Sequence, residues 1–150
     1  MIDLEQFEAT CRRDIPLLDA MQLSLLDYRD LELTMEAPLA PNINNKGTAF
    51  GGSIASIGLF GGWAVATLAF MDRGIDNSEI VVYRHEITFE RPARGHLEVR
   101  VRMNPDEFAA CLDRLRAGSD QRLRFNIEVE LLHDDQRCAT MSGVYVVWLK

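Results

Sequence analysis

Cysteine is sparse and unpaired: Cys11, Cys111 and Cys138 are the only three in 150 residues, far apart and set among apolar neighbours. An odd, scattered set argues against a disulfide framework, and no Cys/His spacing suggests a metal site. Both absences point to reduced, buried thiols in a cytoplasmic protein. Basic charge is also short, with 16 Lys and Arg against 23 Asp and Glu and a formal net charge of −7. No Lys/Arg cluster forms a stripe, so a nucleic-acid surface is not expected. The start MIDLEQFEATCRRD lacks the basic head and apolar core of a secretory signal. Repeats and low-complexity linkers are missing too, and 47% hydrophobic composition suffices for one globular domain over residues 1–150 with its own core.

Charge disappears altogether from one long stretch, Ala49 to Met71. Its length is close to that of a bilayer span. Five glycines, with Ser53, Ser56 and Thr67, dilute its hydrophobicity, and the segments around it read as half-buried strands. A helix buried on all sides is therefore expected, not a membrane span.

What is present is an alternation of short periodic segments. Asp3 is placed to cap a first helix with Leu4, Phe7 and Cys11 at helical spacing and Gln6 three residues on, and Pro16 limits its extent. Leu17, Leu18 and Met21 form a short apolar link. From Asp30 to Ala37, Leu31, Leu33, Met35 and Ala37 alternate with polar residues, which predicts a strand with one wet face. Leu25, Leu26 and Tyr28 break the pattern just before it, as a bulge would. After the apolar helix, Val81, Tyr83, Ile87 and Phe89 are expected on one face of a strand closed by Pro92, and HLEVRVRM predicts a second. Asn104-Pro105-Asp106-Glu107 is a helix start, and Phe108, Cys111, Leu112 and Leu115 form the stripe that follows. Two more strands close the chain, the last from about Arg137 to Trp148 with a bulge expected at Ser142-Gly143. Half-exposed strands need a layer over their dry face, and the apolar helix is the element that can supply it.

This order resembles the hotdog-fold thioesterases, in which an antiparallel sheet wraps a long central helix, an α+β architecture. The residues that carry the likeness are GTAFGGSIA at the head of the central helix, ITFERPARG at the end of the next strand, and the run of strands in the tail. Within the superfamily the chain is most similar to the thioesterase-like domain that follows a GNAT acetyltransferase in some bacteria, where PNxNxxGTxFGGS is typical. The resemblance implies hydrolysis of an acyl-CoA or acyl-carrier-protein thioester, with CoA or phosphopantetheine as part of the substrate and no separate cofactor. It also implies a homodimer, with pairing into a tetramer as a further step.

The first turn of a helix leaves backbone N–H groups unpaired and partly positive. Gly51 and Gly52 would let a thioester carbonyl come within hydrogen-bonding reach of them, with bonds that strengthen as an oxyanion forms. Gly58, Gly61 and Gly62 are better read as close-packing positions. In the preceding loop, whose Asn and Thr residues also suit turns and caps, the resemblance makes Asn45 and Thr48 candidates to position the thioester or a water. Asn42, Lys46, Phe50 and Ser53 stand near enough to touch substrate. Arg91 and Arg94 join Lys46 as the cations nearest the expected mouth for CoA phosphates, ahead of Arg84 and Arg137. Two departures from the family pattern matter: Phe50 stands where many relatives carry histidine, and the central helix has no Asp or Glu to act as base or nucleophile. His85, on the apolar face of its strand, is the remaining candidate to activate water, across a subunit interface. His96 and His133 read as solvent-exposed, and Ser53 lacks the G-x-S-x-G elbow of a nucleophile. A hydroxyacyl dehydratase of the same fold lacks its helix carboxylate and histidine here. The remaining alternative is a non-catalytic domain that binds or senses an acyl thioester.

Overall fold

The computed structural model describes residues 1–150. Helix α1 (Leu4–Asp14) opens as its sequence indicates: the Asp3 carboxylate accepts the Gln6 N–H at 3.0 Å, and Arg12 and Arg13 occupy the last turn, where the dipole favours cations. Pro16 does more than stop it. As the first residue of a short second helix, α2 (Pro16–Ala20), it supplies the fixed φ that a helix start wants.

The strand expected from Asp30 is shorter, and a second strand precedes it. Strands β1 (Ser24–Arg29) and β2 (Glu32–Ala37) form an antiparallel hairpin whose turn residues Asp30 and Leu31 both have positive φ, 49° and 68°. The broken alternation at Leu25 and Leu26 is indeed a register irregularity, between Leu25 and Asp27, but it lies inside a paired strand. Then follow α3 (Gly51–Asp72), β3 (Ser78–Phe89), β4 (Leu97–Met103), α4 (Pro105–Arg116), β5 (Leu123–His133) and β6 (Gln136–Leu149). The six strands make one antiparallel sheet in the order β1-β2-β4-β5-β6-β3. Helix α4 is capped by Asn104, whose side chain accepts from the Asp106 and Glu107 N–H groups at 2.9 and 3.0 Å.

The inner face of the sheet is the dry half of each alternation. Leu33 and Met35 from β2, Val99 and Val101 from β4, and Phe125, Ile127 and Val129 from β5 all lie buried against α3. Along α3, Ala64, Val65, Ala66, Leu68 and Phe70 are buried on successive sides, so the uncharged segment is the rod at the centre of the core. Contrary to the expectation from its sequence, it is not buried on every side: Ala55, Leu59, Trp63, Thr67 and Met71, at four-residue spacing, form a half-buried stripe, and because that stripe too is mostly apolar the segment lacks an amphipathic pattern. Gly58, Gly61 and Gly62 are the close-packing positions that their spacing suggests: a Cβ at each would overlap Met141, Met35 with Val101, and Tyr145, respectively. All three cysteines are free and buried, and burial, with Asp14 and Glu8 adding to it, pushes the Cys11 thiol up to about 11.

One register differs from expectation. The bulge foreseen at Ser142-Gly143 lies instead on the facing strand, between Val82 and Arg84, while Ser142 and Gly143 pair regularly with Glu86 and His85. The bulge turns Tyr83 outward, where the Arg124 guanidinium lies 4.3 Å from its ring centre. Val81 and Tyr83 therefore do not share a face with Ile87 and Phe89, as simple alternation had it, and Ile80 is the buried residue of the first half. Gly143 leaves room for the edges of the His85 and Tyr145 rings, which a Cβ there would meet at 2.7 Å.

Candidate active site at the start of the central helix

The loop before α3 is a tightly bonded turn organised by Asn44. Its Oδ1 accepts the Lys46 and Thr48 N–H groups at 2.8 and 3.1 Å, its Nδ2 donates to the Thr48 hydroxyl at 2.9 Å, and its own N–H bonds the Thr48 carbonyl. Gly47, with φ of 81°, closes the turn. Asn42 fastens this loop to the rest of the molecule. It is 1% exposed, its side-chain amide donates to the carbonyls of Met21 and Pro38, both at 2.9 Å, and its backbone carbonyl accepts the Phe50 N–H at 2.7 Å. Asn42 therefore holds the loop in place from outside the lining of the groove described below.

Those bonds fix the direction in which α3 begins. Phe50, the cap residue, is extended (φ −67°, ψ 131°) and offers no side-chain cap. Ile54 is the first residue whose N–H has an acceptor, the Phe50 carbonyl at 3.0 Å. The N–H groups of Gly51, Gly52 and Ser53 thus find no acceptor in the chain, and they carry the positive end of a 22-residue helix.

The two glycines differ. Gly51 lines a groove of about 360 Å³ together with Asn44, Lys46, Thr48, Ile54, Phe89 and Arg91. A Cβ on Gly51 would meet the Phe89 ring at an ordinary 3.6 Å, whereas one on Gly52 would overlap the ring of Phe50. Gly52 is therefore small because Phe50 folds over it, a reason separate from ligand access. Phe50 itself is largely exposed and does not line the groove.

The structure brings Thr48, Lys46, Gly51 and Arg91 to this groove and leaves others out. Thr48 is buried with its hydroxyl accepting from Asn44, Lys46 is exposed with no carboxylate partner, and Arg91 donates to the Gln136 side chain at 2.6 Å. Asn45 and Arg94 are exposed outside its lining, and Ser53 contributes its N–H from the first turn. His85 lies four residues back along β3 from Phe89 and is outside the groove lining. Neither of its ring nitrogens has a partner, and burial lowers its pKa, so the ring is neutral at pH 7.

Asn44, Phe89 and Glu90 were not singled out from the sequence. A signal for Asn44 existed, an Asn three residues before a glycine in a polar loop, but turn chemistry gave no way to rank it above Asn45. Glu90 is the only carboxylate in the lining, yet its oxygens are engaged by Arg137 at 2.9 Å and Thr140 at 3.2 Å, chiefly for which reason its pKa is lowered. A larger groove of about 700 Å³ crosses the outer sheet face, but it is lined mostly by charged and polar side chains such as Arg102, Glu128 and Arg137. It offers an acyl chain little apolar surface.

One antiparallel sheet laid over a long central helix is the hotdog fold. More specifically, the chain belongs to the family described as "Putative thioesterase (yiiD_Cterm)", which matches residues 4–149. It is 31% identical to a protein of Shewanella oneidensis described as a "putative thioesterase", with a TM-score of 0.81 over 98% of this chain and 97% of that one. A Chlorobaculum tepidum protein of unknown function (22% identity, TM-score 0.87, 97% and 94% coverage) has the same fold. So does a thioesterase of Haemophilus influenzae (11% identity, TM-score 0.79, 99% and 92% coverage).

Proposed function

We propose that this protein hydrolyses an acyl-CoA or acyl-carrier-protein thioester, working as a homodimer. The observation that carries the reading is the set of three acceptor-free N–H groups at Gly51, Gly52 and Ser53, the first of them on the wall of a groove. A thioester carbonyl placed there accepts hydrogen bonds that strengthen as water adds and negative charge moves onto oxygen. The Thr48 hydroxyl, fixed from behind by Asn44, is positioned to hold the carbonyl or the incoming water. Ala49, Ile54, Phe89, Pro92 and Ala93 give the acyl group apolar surface, and Lys46 and Arg91 offer charge to the phosphates of CoA or phosphopantetheine.

A second reading has its own observation. No imidazole lines the groove, and its single carboxylate is already bound to Arg137 and Thr140, which suits a domain that binds the thioester without turning it over. Gly51→Pro separates the two. Proline is favoured at the first helical position and needs an extended residue before it, which Phe50 already is. The substitution removes one N–H and leaves the fold intact. In a thiol-release assay over acyl-CoA chain lengths, hydrolysis is expected to fall about 100-fold or more in kcat with little change in melting temperature. Wild-type protein that binds acyl-CoA saturably without releasing thiol favours the binding domain, and unchanged turnover in the variant removes the amides from the mechanism.

A further inference from the structure

We infer that the outer face of the sheet carries a docking surface for an acidic protein, built from Arg84, Arg122 and Arg124 on Tyr83 and Trp148, and that its partner is the acyl-carrier form of the substrate. This rests on the thioesterase reading above and says which form of the thioester the chain takes. The five residues are scattered in the sequence and meet only through strand pairing. Arg124 of β5 faces Val146 of β6, which in turn faces Val81 of β3, and the bulge of β3 brings Tyr83 out onto the same side. The Arg124 guanidinium lies over the Tyr83 ring at 4.3 Å and that of Arg84 at 5.5 Å, while Arg122 lies over Trp148 at 4.1 Å.

Unspent charge marks this patch. Acidic residues outnumber Lys and Arg by 23 to 16, and arginines elsewhere find them: Arg12 holds Glu8, Arg73 holds Asp72, Arg102 holds Glu32 and Arg137 holds Glu90. Arg84, Arg122 and Arg124 have only the two rings, with no ion pair and no hydrogen bond from a guanidinium within the chain. Glu79, which faces Trp148 from β3, is taken by Lys150 at 3.0 Å. A guanidinium resting on a ring is steadied while its N–H donors stay free, so less freedom is lost when a carboxylate arrives.

Shape and surroundings select the occupant. The patch lies on the open face of the sheet, and none of the chain's main cavities is lined by any of the five residues. A small molecule takes a concave site, so free CoA is a poor fit. Along β5 the outward residues change sign, from Arg124 to Glu128 and Glu130, and the whole chain carries −7. A membrane or a nucleic acid crossing the sheet would meet those acids too. One acidic helix of a protein covers the basic end alone, and the acids beyond it set its direction by repulsion. Of the two thioester forms, only the carrier protein brings a protein face, and its long phosphopantetheine arm is what reaches from such a face to a groove of the dimer.

Binding of holo-acyl-carrier protein, which has no acyl group to hydrolyse, is measured by fluorescence anisotropy on the full chain. The double variant Arg122→Glu with Arg124→Glu should weaken it about ten-fold or more, and wild-type binding should weaken as salt rises. Arg100→Glu, the same charge change on β4 of the outer face, should stay within about two-fold of wild type. All three arginines are exposed, so melting temperatures should hold. In turnover, the double variant should raise KM for the acyl-carrier substrate and leave KM for acyl-CoA of the same chain length unchanged. An equal rise for acyl-CoA overturns the inference in favour of a nucleotide site. Holo-carrier protein that binds wild type and double variant alike, or binds neither, overturns the docking surface while acyl-CoA hydrolysis stands. Phosphatidylserine vesicles that bind through these arginines in place of the carrier overturn it in favour of a membrane. Carrier binding that needs the arginines, with no thiol released from either substrate, keeps the docking surface and overturns the thioesterase.

Discussion

At the scale of single residues, the groups that matter most are those whose partners lie far away in sequence. Glycine spacing alone makes Gly58, Gly61 and Gly62 readable as packing positions, because a helix at the core needs small residues wherever a sheet comes close. The same reasoning could not tell that Gly52 makes room for Phe50, or that Asn42 spends its amide on Met21 and Pro38, since both depend on how the chain returns on itself. His85 was picked for its place on an apolar face, and what the structure adds is that nothing in the chain answers its nitrogens. Burial lowers its pKa below the usual 6.5, so the unfolded chain takes up this proton at a higher pH than the folded one. Its contribution to stability is full above about pH 6.5 and is lost as pH falls from there through the folded value. Thermal unfolding of wild type and His85→Gln at pH 7.5 and 5.5 should therefore show a larger acid-induced drop in melting temperature for the wild type. Equal drops would mean that the ring is already hydrated in the folded protein.

At the scale of elements, periodicity locates β2 to β6 and fails where two structures meet. The hairpin of β1 and β2 was hidden because Asp30 and Leu31 continue the alternation of β2 while adopting the left-handed conformation of a turn. Likewise the bulge at Tyr83 reverses the facing of half of β3 without any glycine to announce it. Helix α3 was the safest element, and its glycines set a testable limit on packing. A Cβ at Gly62 would overlap the hydroxyl and ring of Tyr145, which is fully buried, stacked on Phe125 at 6.0 Å and bonded to the Leu59 carbonyl at 2.9 Å. That ring cannot yield, so Gly62→Ala should cost about 2 kcal/mol net, the overpacking outweighing a gain of about 1 kcal/mol in helix propensity. Gly58→Ala presses instead on Met141, whose flexible thioether can move, and should stay within about 1 kcal/mol of wild type. Urea unfolding of the two variants side by side checks the order, and a reversed order would show that β6 shifts more easily than a methionine side chain.

At the scale of the whole molecule, the groove and the sheet edge share one strand end. Phe89 lines the groove beside Gly51 and, at the same time, is the exposed last residue of β3, with Glu90, Arg91 and Pro92 continuing the groove wall directly after it. In the homodimer proposed above, a second copy seated on this edge would cover Phe89 and anchor the wall that holds the acyl group. A free subunit keeps its amides but leaves that wall on an unpaired edge, where local opening costs little. If the protein is the dimeric thioesterase proposed above, its specific activity should fall on dilution through the dimer dissociation constant, with a midpoint that coincides with that of the dimer by sedimentation equilibrium. Activity that stays constant per subunit across the transition would show that each groove works alone, and that the edge serves assembly without serving the chemistry.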